Sequence, residues 1–100
     1  MHADKLRPGL VVYAAAGKEQ GGFYMVTEVG EGYVTLADGK RRPLEKPKRK
    51  NLRHIRLTDT LWEPEGMTNR ALRSKLRDYT AGSTDQAFDE AFNKGGNGFV

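Results

Sequence analysis

The chain has 100 residues, 37% hydrophobic and 30% charged, which suits one domain with a single small core rather than two. Its 17 Lys and Arg against 13 Asp and Glu leave a formal charge of +4, which favours polyanionic partners such as nucleic acid or an acidic surface. The absence of cysteine excludes a disulfide scaffold, a thiol nucleophile, a thiolate zinc site and an iron–sulfur cluster, and no apolar run reaches the roughly 18–20 residues of a membrane span.

Residues 1–7 are polar and read as a flexible arm, without the apolar stretch of a signal peptide, so a cytoplasmic protein with no membrane partner is expected. Pro8-Gly9 punctuates the start of a first strand, Leu10 to Ala16. The turn Gly17-Lys18-Glu19-Gln20-Gly21-Gly22 leads to a second strand, Phe23 to Val29, rich in aromatic and β-branched residues. Gly30-Glu31-Gly32 turns the chain into a third strand, Tyr33 to Ala37. Asp38-Gly39 is a tight-hairpin signal into a fourth strand, Lys40 to Leu44, which Pro43 confines to an edge or an end. A basic loop, Glu45 to Lys50, is stiffened by Pro47, and the alternation of Leu52, Ile55 and Leu57 predicts a short closing strand. Five short strands in about fifty residues predict a mainly β domain over residues 8–58, a small five-stranded barrel whose closure removes exposed edges. Its expected core is Val12, Val26, Val34, Leu36, Leu44, Ile55 and a neighbouring aromatic.

Residues 59–80 read as a linker, with Trp62 and Pro64, and a helix capped by Thr68. Ala71, Leu72, Lys75, Leu76 and Tyr79 recur at helical spacing, with Arg70, Arg73 and Arg77 on the more polar side. So narrow an apolar stripe needs the barrel to pack against, with Trp62 filling the joint. In residues 81–100, Ser83-Thr84-Asp85 predicts a second short helix carrying Phe88 and Phe92, followed by a disordered glycine-rich tail.

Charge is concentrated in one segment. Lys40 to Arg56 holds nine bases (Lys40, Arg41, Arg42, Lys46, Lys48, Arg49, Lys50, Arg53 and Arg56) against one acid, Glu45. Phosphate neutralisation and donors that reach grooves or 2′-hydroxyls are what RNA asks of a surface, and this segment supplies both. Arg42, Lys46, Lys48, Arg49, Lys50 and Arg53 are the best contact candidates, joined by Lys40 and by Lys18 in the first turn. Tyr13, Phe23, Tyr24 and Tyr33 offer either a stacking platform or barrel packing, and His54 either an RNA contact or a structural role.

The ordered combination of Pro8-Gly9, Ala16-Gly17-Lys18-Glu19-Gln20-Gly21, Ala37-Asp38-Gly39-Lys40, Leu44-Glu45-Lys46-Pro47-Lys48 and Leu52-Arg53-His54 resembles the small bacterial KOW-domain RNA-binding proteins. These are related to the archaeal and eukaryotic large-subunit ribosomal protein L14e. The likeness covers residues 6 to 58, and the segment Thr68 to Arg73 is similar to the helix that follows the barrel in such proteins. The resemblance implies an SH3-like barrel and binding to structured RNA, with large-subunit ribosomal RNA and ribosomal proteins as the implied partners. Gly21 matches the characteristic glycine of the family and Gly17 lies in the turn before it, while Asp38, Gly39 and Pro47 fall in further matching turns. Where the related bacterial pattern carries a base, this chain has Gln20.

An enzyme is not expected, and no cofactor is implied. His2 and His54 are far apart, Gly17 to Gly22 lacks the residues of a phosphate loop, and Ser74, Ser83 and Thr84 have no convincing base. Two non-catalytic alternatives stay open: a protein-interaction adaptor using the barrel with Phe88 and Phe92, and nonspecific binding of duplex DNA by the same charges.

Overall fold

The computed structural model describes residues 5–82. Strands β1 (Leu10–Ala14), β2 (Phe23–Val29), β3 (Tyr33–Ala37), β4 (Lys48–Asn51) and β5 (Ile55–Leu61) form one antiparallel sheet in the order β4-β3-β2-β1-β5, and helix α1 (Asn69–Gly82) follows. The pairings Val12 with Tyr24, Val26 with Leu36 and Val34 with Lys50 fix the register. Strand alternation then gathers Leu10, Val12, Ala14, Tyr24, Val26, Val34, Leu36 and Ile55 into one buried cluster, fringed by Leu6, Leu52 and Leu57. On the opposite face Val11, Met25 and Ala37 are covered by Leu72 and Leu76 of α1. Burial on both faces accounts for the unbroken apolar run at Leu10–Ala14, where a half-solvated strand would alternate with polar residues.

The expected core holds except at Leu44, which is only partly buried and packs in the helix-side cluster instead. The expected closure does not occur: β4 and β5 lie at the two ends of the strand order and no ladder joins them. A 3₁₀ turn, Leu52–His54, carries the chain between them. Asn51 Oδ1 accepts from Arg53 N at 3.0 Å, Leu52 N donates to Gly32 O at 3.2 Å, and His54 O accepts from Ala15 N at 2.8 Å. The main-chain groups of the turn are thereby committed away from a β4–β5 ladder.

The fourth strand lies further along than the sequence predicts. Residues 40–44 are irregular because Asp38 organises them locally: its Oδ1 accepts from Lys40 N at 2.9 Å and Arg42 N at 2.8 Å. Asp38 N and Gly39 N both donate to Arg42 O, and Pro43 has no N–H to offer a ladder. Pairing with β3 therefore starts at Lys48, so the end of the expected basic loop is strand. The closing strand begins at Ile55 and runs to Leu61, into the expected linker. Thr58 holds it there, donating its buried hydroxyl to Val11 O at 2.7 Å, and a register shift between Leu10 and Val12 sets Leu10 opposite Leu61.

Helix α1 starts as expected at Thr68, whose Oγ1 accepts from Ala71 N at 3.1 Å. Leu72 and Leu76 supply its buried stripe. Trp62 fills the joint, with Tyr79 edge-to-face at 6.0 Å between ring centroids and Lys75 Nζ 5.0 Å above its ring. Two glycines set close approaches. Gly9, at φ +103°, sits where a Cβ would collide with Trp62 O, and its own carbonyl accepts from Trp62 N at 2.8 Å. Gly39, at φ +79°, lies flush against the α1 backbone at Asn69 and Arg73. The predicted helix from Ser83 and its aromatic residues lie outside the described residues, as do residues 1–4.

Candidate nucleic-acid interface

The nine-base segment divides once its strand is placed. Alternation along β4 sends Lys48 and Lys50 to the core face, opposite Leu36 and Val34, and Arg49 and Asn51 to the other. Lys50 is only 7% exposed and donates to Glu19 Oε1 at 2.8 Å; Arg42 donates to Glu19 Oε2 at 2.7 Å. Glu19, in the β1–β2 loop, is 6% exposed and so neutralises both cations inside the protein. The Lys50 hydrogen bond, with that of Arg42, outweighs the effect of burial and holds the Glu19 carboxyl down at about 2. Lys50, expected to contact RNA, is thus a structural cation, and Arg42 is tied to the same acid.

The remaining bases stay outward. Lys18, Lys40, Arg41, Lys46, Arg49, Arg53 and Arg56 are exposed and Lys48 is half-buried. Arg49 sits over the Tyr33 ring, its guanidinium carbon 3.9 Å from the ring centroid. The ring itself leans over Gly30, leaving no room there for a Cβ. On this face of β2–β4 the hydroxyls of Thr27 and Thr35 hydrogen-bond to each other, so Tyr33, Thr35, Arg49 and Asn51 form a surface with stacking, donor and acceptor groups together.

The expected turn residues have distinct structural jobs. Gly17 (φ +88°) passes directly over the Lys50 ammonium, whereas Gly21 (φ +97°) faces open space and needs only the left-handed backbone. The β1–β2 loop is closed by Gly21 N donating to Ala14 O and Ala14 N donating to Gly22 O. Pro47 is half-buried just before β4. Asn69 fixes the loop before Pro47 to α1: its Oδ1 accepts from Leu44 N at 2.7 Å and its Nδ2 donates to Glu45 Oε1 at 2.8 Å. That last bond lowers the Glu45 carboxyl below its ordinary range, and it engages the single acid of the basic segment.

Other aromatic residues are spoken for. Tyr24 belongs to the core, where burial pushes its hydroxyl pKa up, and Phe23 packs edge-to-face with Tyr13 and Tyr79 at 5.4 and 5.1 Å. His54 is half-buried in the 3₁₀ turn. Sequence reasoning missed the role of Glu19, the pairing of Arg49 with Tyr33, and the place of Arg73 and Arg77, which border a cleft between α1 and the Asp38–Lys40 turn. An isolated acid between glycines, facing a chain crowded with bases, was the available signal for Glu19.

No protein-family model matches this chain, and no curated protein matches it. Among the described residues no group of three His, Cys, Asp or Glu side chains could hold a metal ion, and no helix is long and apolar enough to cross a membrane.

Proposed function

We propose that this protein is a non-catalytic RNA-binding module, a KOW-like domain with a barrel-like but open five-stranded sheet that engages structured RNA, with ribosomal RNA as the expected target in the cytoplasm. The observation that carries the reading is the exposed Arg49 guanidinium laid on Tyr33, in a segment whose one acid is engaged by Asn69. A stacked guanidinium keeps its donor edge free for a phosphate or base and extends a planar surface on which an unstacked base can lie. Arg53 and Lys46, both exposed, flank it in sequence and supply phosphate contacts that position the strand. The KOW-like assignment is supported by five short antiparallel strands, by β2 and β3 falling at their expected residues, and by Gly21 adopting the left-handed conformation, in a sheet that stays open between β4 and β5.

The test is binding of the full chain to large-subunit ribosomal RNA fragments, competed with duplex DNA of equal length across a salt series. The comparison variant is Lys46→Gln/Arg49→Gln/Arg53→Gln, which spares Lys48 and Lys50 because both side chains leave β4 on its core face. Preferential RNA binding near physiological salt, lost in the folded variant, is expected. Equal competition by DNA, or capture of acidic proteins in place of RNA, overturns the reading.

A further inference from the structure

The outer side of α1 carries charge that the Arg49–Tyr33 surface does not use. Along Asn69–Gly82, Arg70, Arg73, Lys75 and Arg77 stand against Asp78 alone. Arg70, Arg73 and Arg77 fall at i, i+3 and i+7, within a sector of about 60° and over about 10 Å of the helix axis. All three are exposed, whereas Leu72 and Leu76 are buried against the sheet and Lys75 is turned over Trp62. Among the described residues no acid pairs with Arg70 or Arg73, and Arg77 has only a long, exposed contact to Asp78 at 3.9 Å.

Two contacts join this stripe to the basic segment. Gly39 lies against the helix backbone at Asn69 and Arg73, which brings the turn of the exposed Lys40 up to the stripe. Asn69 accepts from Leu44 N and donates to Glu45 Oε1, which fixes the loop of Lys46 to the first turn of α1, beside Arg70. Exposed bases therefore run from Arg49 through Lys46 to Arg70, Arg73 and Arg77, in positions set by the fold. The two ends of this track differ in chemistry. Arg49 has the Tyr33 ring beneath it, while the one ring of α1, Tyr79, is engaged with Trp62 and Phe23. Stacking and charge are offered together at the first end, and charge alone at the second.

We propose that the arginine stripe of α1 holds the phosphate backbone of an RNA stem, next to an unpaired nucleotide taken by Arg49 and Tyr33, so that the ligand is a junction between paired and unpaired RNA. Charge complementarity selects the backbone. Paired RNA is held through its phosphates and its shape, whereas a single strand asks for stacking groups that this side of α1 lacks. The inference rests on the RNA-binding reading but adds residues outside the Arg49 surface.

The test measures the affinity of the full chain for an RNA duplex with an unpaired 3′ extension, for the blunt duplex, and for the extension alone as a single strand. The junction RNA is expected to bind more tightly than either part. Arg70→Gln/Arg73→Gln/Arg77→Gln puts good helix formers at exposed positions. It is expected to bring the junction RNA down to the affinity of the single strand and to flatten its salt slope by about 2, with single-strand binding unchanged. Arg70→Lys/Arg73→Lys/Arg77→Lys is expected to keep junction binding, because a phosphate accepts a point charge in place of a planar fork. If the glutamine variant binds all three RNAs as the wild type does while Arg49→Gln loses the single strand, the helix assignment falls and the RNA-binding reading stands. Equal loss on all three RNAs overturns the assignment to a stem. If the wild type binds no RNA, both readings fall.

Discussion

Lys50 Nζ donates to Glu19 Oε1 at 2.8 Å with both side chains nearly withdrawn from water, 7% and 4% exposed. The contact spans 31 positions and joins the β1–β2 loop to β4. It turns the most buried base of a basic segment into a fastening for the strand that carries Arg49.

Glu19→Gln removes the compensation for two cations at once, and stranding a buried charge costs about 3–5 kcal/mol. Urea unfolding is expected to show a loss of that order. Glu19→Gln/Lys50→Met, which removes both members of the buried pair, is expected to recover much of it. Simply additive losses from the two single changes would show that the pair is not coupled.

The same carboxyl makes stability acid-sensitive in a defined window. With its pKa held at about 2 against an ordinary 4.5, its contribution is fully present above pH 4.5 and is lost as pH falls toward 2. The shift corresponds to about 3 kcal/mol. Urea midpoints measured at pH 6 and pH 2.5 are expected to fall further in the wild type than in Glu19→Gln, and an identical fall would refute the assignment.

Gly30→Ala places a methyl group where the Tyr33 ring lies. The ring is expected to swing from beneath Arg49, lowering RNA affinity several-fold while the unfolding midpoint changes little. Tyr33→Leu is expected to weaken binding in the same way, and unchanged affinity in both variants would remove the stack from the interface.

Gly9 and Gly21 both have positive φ but separate backbone strain from steric fit. Gly21→Ala faces open space and is expected to cost about 1–2 kcal/mol, the strain of a left-handed backbone alone. Gly9→Ala adds a clash with Trp62 O and is expected to cost more. Thermal melts of the two variants would contradict this by coinciding.

Strand β3, the whole of β2 and the cap at Thr68 were legible because apolar alternation, glycine turns and a capping side chain are local signals. The stretch from Lys40 to Leu44 was misread because a single side-chain acceptor, Asp38 Oδ1, diverts two backbone donors from a ladder. Pattern reading recognises the Asp-Gly turn there but not how many amides it captures. For the candidate site, clustering of bases was visible while their individual fates were not. The strand register decides that Arg49 meets Tyr33 and Lys50 meets Glu19, and β4 begins later than its residues suggest.

The joint between sheet and helix also carries a built-in optical reporter. Trp62 is the sole tryptophan, and its indole is sandwiched in reach of Lys75 and Tyr79, two side chains of α1. Its emission therefore follows undocking of the helix, whereas far-ultraviolet dichroism follows the sheet and helix together. Peeling of α1 from Val11, Met25 and Ala37 is thereby readable, without any added dye, as a fluorescence change separate from the dichroism of the strands.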